Sequence, residues 1–194
     1  MPEVSNLEPP VLLVAMPQVL DPFFHHAVVL LLAHEKEGSF GFLLNRRTDI
    51  RVADILSGLE LPWAGEPEVL AHFGGPVQPQ LGTVLFSPPR ALRDDEEPVH
   101  LMPGVALTQN IADLAVLAAQ PPERMRLFLG YAGWNSGQLL EEILRNDWLT
   151  APAQIEFVFT VPAEHLWETA LRSVGVDPAS LPSWTPSSDE GSAN

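Results

Sequence analysis

The chain has no cysteine. That excludes disulfides, thiolate nucleophiles and cysteine-ligated metal sites. Lysine occurs once, at Lys36, and 10 basic residues face 25 acidic ones, for a formal charge of −15. Nucleic-acid binding draws much of its free energy from Lys and Arg neutralising phosphates. Direct binding to DNA, RNA or an anionic membrane is therefore disfavoured, with Arg46, Arg47 and Arg51 the only local concentration of positive charge. Long apolar runs are missing too. The longest, residues 27–33, falls far short of the roughly 20 residues of a membrane helix and suits a buried strand. The first six residues lack the basic start and apolar stretch of a secretory signal. These absences lead us to expect a cytoplasmic chain with no membrane contact.

Recognisable catalytic and cofactor signatures are absent as well. There is no Gly-Lys-Ser/Thr phosphate loop, no G-x-G-x-x-G fingerprint, no H-E-x-x-H pair and no G-x-S-x-G elbow. None of His25, His26, His34, His72, His100 and His165 has the spacing of two ligands on one helical face, so no metal and no cofactor are expected. His25 and His26, being adjacent, should point in different directions. Ser39, Ser87 and Ser136 have no motif that marks a nucleophile, and the reading leans away from an enzyme.

What is present is a core. Apolar residues make up 46% of 194 residues, which suits one domain. Residues 11–16, 27–34 and 40–45 read as strands, the last two joined by a polar, glycine-bearing loop as in a hairpin. Val52, Ile55, Leu56 and Leu59 recur at helical spacing, as do Ile111, Leu114, Ala115 and Ala118 behind a capping Thr108. Further strands are expected at 69–73, 82–86, 125–131 and 155–161, with broken strand structure over 99–107. Helices are expected around Leu139–Leu144 and around Leu166, Trp167, Ala170, Leu171 and Val174. The opening strands are too closely connected for βαβ crossovers, so the fold class is α/β of the α+β type: a single domain with a mixed, largely antiparallel sheet and packed helices. Residues 1–10 read as a flexible lead, 11–182 as the domain, and 183–194 as a disordered acidic, Ser/Pro-rich tail.

The segment Gly130-Tyr131-Ala132-Gly133-Trp134-Asn135-Ser136-Gly137-Gln138 stands out. Glycines between a strand and a helix, with free N–H groups at the helix start, could cradle an anion. Equally, Asn135 and Gln138 fit a capping box, which makes the same run a strand-to-helix junction. Gly74-Gly75-Pro76 is a second permissive turn. If the two turns share a pocket, Asn45, Gly74, Gly75, Trp134, Asn135, Gly137 and Gln138 would line it. Glu141, with Arg145 four residues on, reads as a surface ion pair.

Several motifs together resemble a bacterial family that includes AlgH and YqgE. They are Leu13-Val14-Ala15-Met16-Pro17, Asp21-Pro22-Phe23-Phe24, Gly41-Phe42-Leu43-Leu44-Asn45 and Phe73-Gly74-Gly75-Pro76-Val77. Leu129-Gly130-Tyr131-Ala132-Gly133-Trp134, Gly137-Gln138-Leu139, Glu142-Ile143 and Trp148-Leu149 complete the set. The resemblance implies a single α/β domain with a barrel-like mixed sheet and a link to transcriptional control. It supplies no catalytic residues. It also marks departures: Leu81 stands where arginine is frequent, Phe86 where histidine is frequent, Leu140 where glutamate is frequent, and Arg47 in place of a usual proline. The leading expectation is a regulatory or partner-binding role without direct DNA contact, through an unknown protein partner or a small anionic ligand. The alternative is a binder or enzyme that uses the two glycine turns as an anion cradle. A third, a structural subunit, would require a large exposed apolar patch.

Overall fold

The structure, a computed structural model, describes residues 7–93 and 97–183. Three antiparallel strands open it: β1 (Val11–Ala15), β2 (Val28–Glu35) and β3 (Gly38–Leu43). Val28, Val29, Leu30 and Leu31 are all fully buried, because both faces of this strand are covered and alternation is not needed. The turn at Lys36-Glu37 closes the expected hairpin, which is tighter than its polar sequence suggests: Glu35 and Gly38 already pair.

Five further strands precede the centre of the sheet. These are β4 (Arg47–Arg51), β5 (Leu70–Phe73), β6 (Val77–Ser87), β7 (Val99–Met102) and β8 (Val105–Thr108). The longest strand, β9 (Arg124–Asn135), and the short β10 (Trp148–Pro152) follow. The main path runs β10-β1-β2-β3-β9-β6-β8-β7, with β5 beside β9 and β4 beside β5. All these pairings are antiparallel except β5 with β9. The result is a mixed α/β single domain whose sheet curls into a half-barrel, as the strand connectivity and the family resemblance led us to expect.

Strand β9 changes neighbours along its length. Residues 124–129 pair with 82–87 of β6, and residues 132–135 pair with 38–41 of β3. At the change, Val77 pairs with Tyr131 and Gly82 with Leu129, so residues 78–81 bulge opposite Gly130 alone. Gly130 has φ +69°, and a Cβ there would lie 2.3 Å from the Gly75 carbonyl oxygen. Only glycine accepts both that left-handed conformation and that close approach.

Among the described residues five α-helices cover the sheet: α1 (Val52–Gly58), α2 (Ile111–Ala119), α3 (Gln138–Leu144), α4 (Ile155–Phe159) and α5 (Ala163–Ser173). On one side, Phe157 and Val158 of α4 and Leu166, Ala170 and Leu171 of α5 join Leu30, Phe42 and Phe128 in a core. On the other, Leu139 of α3 meets Leu13, Leu31, Leu43, Trp134 and Trp148. A third cluster under α1 and α2 joins Leu56, Phe86, Leu117 and Leu127. Each aromatic buried in this way contributes about 2–3 kcal/mol relative to exposure.

Several expectations are corrected. Residues 155–159 form a helix, not a strand; the short apolar run fits either state, and Thr160 and Val161 close it by donating to the Glu156 carbonyl. Strand β10 had no separate signal, since Asn146-Asp147 and Pro152 break its pattern. The cap of α2 is Asn110, whose side chain accepts from the Ala112 amide at 2.8 Å. Thr108 instead accepts from the Asn110 amide and donates to buried Asp113 at 2.6 Å. Arg145 pairs with Asp147 at 2.9 Å rather than with Glu141. Residues 1–6 and 184–194, on which most of the expected lead and tail fall, lie outside the described residues.

Candidate functional site

The bulge in β6 opens a cleft of about 780 Å³ between the turn of the β2–β3 hairpin and the strand change in β9. Alternation puts Phe40, Phe42, Tyr131 and Gly133 on its side of the sheet, because Phe40 pairs with Gly133. Phe40 and Tyr131 meet edge to face with centroids 6.1 Å apart. Phe40 is 41% exposed, unusual for a phenylalanine beside a core. Val77 and Leu81 supply the bulge wall, Glu35 and Glu37 border the hairpin end, and Gln78, Gln109 and Asn135 add polar groups. No arginine or lysine lines this cleft. It is an apolar slot with an acidic border.

Only part of the set chosen from the sequence reaches the cleft. Trp134 and Asn135 border it. Gly74 and Gly75 do not: both are buried, and a Cβ on either would strike the backbone of Gly130 or Tyr131 within 2.3 Å. The Gly74 amide donates to the Leu129 carbonyl and the Gly74 carbonyl accepts from the Leu43 amide, both at 2.8 Å. Those backbone groups are spent within the sheet and cannot hold an anion. Asn45 is also committed: its Oδ1 accepts from the Val28 amide at 2.9 Å and its Nδ2 donates to the His26 carbonyl at 2.8 Å. Gly137 (φ +75°) begins α3. Gln138 forms half of the expected capping box, its Oε1 accepting from the Asn135 amide at 3.0 Å, while Asn135 offers no side-chain cap in return. The two glycine turns therefore do not both line this cleft. Gly74, Gly75 and Gly130 serve backbone-to-backbone crossing instead.

Trp134 is held by a side-chain hydrogen bond. Its indole Nε1 donates to Glu142 Oε2 at 2.9 Å, and Trp148 Nε1 donates to the same oxygen at 2.8 Å. Gln138 Nε2 donates to Glu142 Oε1 at 2.9 Å. One carboxylate thus ties α3 to β9 and β10. Phe24 packs on both indoles, with centroids 6.2 and 5.9 Å away.

Among the described residues no group of three or more His, Asp and Glu is placed to hold a metal. His25 and His26 do not diverge as adjacent residues usually do. His26 has φ +51°, so its ring stacks on both His25 and Trp167, with centroids 4.0 and 3.9 Å apart. Burial, then His25 and Arg46, lower the pKa of His26. His34 Nδ1 lies 2.7 Å from Ser39 Oγ, but alternation turns Ser39 to the face opposite Phe40. Among the described residues no acid completes a triad with this pair in the hydrogen bonds of the structure. No helix among the described residues is long and apolar enough to cross a membrane.

The residues that make the cleft were largely missed in sequence. Glu35 and Glu37 read as part of a polar hairpin loop, Phe40 and Tyr131 as strand positions, and Leu81 as a departure from the family pattern. The available signal was Leu81, an apolar residue where the family pattern favours arginine.

A half-barrel sheet with five helices and a strand-change cleft defines the structural class, and comparison with other proteins places it. The AlgH-like family model matches residues 12–179. The chain is 40% identical over 179 residues to a UPF0301 protein of Myxococcus xanthus, covering 92% of this chain and 96% of that one. It is 41% identical over 171 residues to a UPF0301 protein of Alcanivorax borkumensis, covering 86% and 88%. The solution structure of AlgH from Pseudomonas aeruginosa superposes with a TM-score of 0.73 at 33% identity, covering 89% of this chain and 93% of that one. A crystal structure from Corynebacterium diphtheriae gives 0.70 at 27% identity, covering 86% and 87%. The chain belongs to the AlgH-like family.

Proposed function

We propose that this protein is a regulatory, partner-binding module whose cleft receives an apolar segment flanked by basic residues. The observation that supports this reading is the cleft itself: exposed Phe40 beside Tyr131, Val77 and Leu81, with Glu35 and Glu37 at the border and no basic lining residue. An aromatic slot with partly exposed rings gains binding energy from burying apolar surface, while the two carboxylates select the charge of what flanks it. The same acidity disfavours the phosphate backbone of a nucleic acid at the cleft, and the formal charge of −15 acts in the same direction. Control of transcription, if the protein exerts it, then passes through another protein and not through DNA.

Peptide display against the full chain tests this. Enriched sequences should combine aromatic or branched apolar residues with Lys or Arg, and Phe40→Asp should abolish the enrichment. Glu35→Lys with Glu37→Lys should remove the basic preference while the protein stays folded. Enrichment of acidic peptides, or of none, overturns the reading. So does tight, sequence-specific binding to a promoter fragment at physiological salt.

A further inference from the structure

Away from the cleft, two arginines and a histidine gather in a chain otherwise dominated by carboxylates. Arg47 of β4 stands opposite His72 of β5, and His72 stands opposite Phe128 of β9. Arg126 lies two residues before Phe128 and so shares its face. The His72 and Phe128 rings are 5.3 Å apart. Three strands distant in sequence thus bring two guanidiniums and an imidazole together on the α5 side of the sheet.

The cluster is unsatisfied. His72 is 7% exposed. Its Nδ1 and the Nη1 of Arg126 are buried without a hydrogen-bond partner among the described residues. Neither Arg47 nor Arg126 forms an ion pair among the described residues. Burial, reinforced by the guanidiniums of Arg126 and Arg47, lowers the His72 pKa to about 3. Arg126 is lowered to about 10 by burial and by Arg47. Buried polar atoms are nearly always paired, and those that are not call for an explanation. Arg47 is exposed and lines a surface depression of about 460 Å³ that Glu164 and Glu168 of α5 also line, while His72 and Arg126 are not among its lining residues.

We propose that Arg47, His72 and Arg126 form a binding site for a phosphate group. Its oxygens accept from Arg126 Nη1 and from the N–H of His72 Nδ1, with Arg47 contributing from the solvent side. Two guanidiniums that form no ion pair among the described residues match a doubly charged group with several acceptor oxygens better than a single carboxylate. The site uses none of the glycine-turn residues and lies apart from the cleft, so its failure leaves the partner-binding reading intact.

Titration of the full chain with inorganic phosphate, followed by calorimetry and by melting temperature, tests it. Saturable binding is expected, with a rise in melting temperature that sodium chloride of equal ionic strength does not reproduce. Arg126→Met should weaken phosphate by about tenfold or more, the effect of losing a charged hydrogen bond. Arg47→Ala, an exposed change that leaves the fold intact, should weaken it by several-fold. Absence of saturable binding overturns the proposal, as does binding equal to wild type in the Arg47→Ala protein. Saturable acetate binding without phosphate binding overturns the choice of phosphate.

Discussion

On one side of Gly130, strand β9 gives Tyr131 to an apolar cleft bordered by Glu35 and Glu37. On the other side it gives Arg126 to a half-buried group of cations. The two regions differ in how they were assembled. Most of the cleft lining comes as short continuous runs, a hairpin end, the bulge of β6 and the last part of β9, brought together by the sheet. The cationic group is wholly non-local, drawn from residues 47, 72 and 126 by strand register. Opposite charge preferences can coexist within one small sheet because the strand change at Gly130 separates the neighbours that each region uses.

Removing that boundary should have the largest effect. Gly130→Val puts a branched side chain into left-handed backbone against the Gly75 carbonyl, and we expect a loss of more than about 4 kcal/mol, in the range where a domain fails to fold. Chemical denaturation followed by circular dichroism measures it; a stable, native-like variant would show that the strand change does not depend on glycine. Next is the support behind the cleft wall. Glu142→Ala strands two indole N–H groups and should cost about 2–4 kcal/mol, with Glu142→Gln retaining part through its remaining acceptor. Equal stability of the two variants by thermal unfolding would mean that the indoles find other partners.

The cationic side should answer to acid where the cleft does not. The folded-state pKa of His72 is depressed from 6.5 to about 3. Between those values the unfolded chain takes up a proton that the folded chain refuses, so this group lowers stability as pH falls from about 6.5 towards 3 and contributes nothing above. His72→Phe, which keeps a ring against Phe128, should flatten the decline in melting temperature between pH 7 and 4. An unchanged slope would assign the decline to other groups. The smallest effect on stability belongs to Leu81→Arg on the cleft wall, within about 0.5 kcal/mol of wild type. It should nevertheless reduce binding of a basic, aromatic peptide by about tenfold, as a like charge enters the slot. Fluorescence anisotropy with a labelled peptide checks this.

Much of the fold was legible from local pattern. The apolar run at 27–33, the polar turn after it and the helical spacing of Leu166, Ala170 and Leu171 led to the right elements. Residues 155–159 misled because five residues of apolar helix look like strand, and tertiary burial of Phe157 and Val158 decides between them. The glycine motif at 130–137 was correctly singled out, but its use was not. Gly130 and Gly75 are small so that two backbones can cross, a reason that exists only once β5, β6 and β9 are adjacent. The same holds for the cations: no spacing in the chain links Arg47 to His72 or Arg126, and register alone unites them.

The carboxylate of Glu142 receives both Trp134 and Trp148 on a single oxygen. Trp134 also borders the cleft. Two indoles polarised by one shared negative charge form an intrinsic optical probe wired to that border. A ligand that shifts Trp134 by even a small rotation changes the field on its indole and should move the tryptophan emission without any label being added. Occupancy of the cleft is thus readable in the protein's own light.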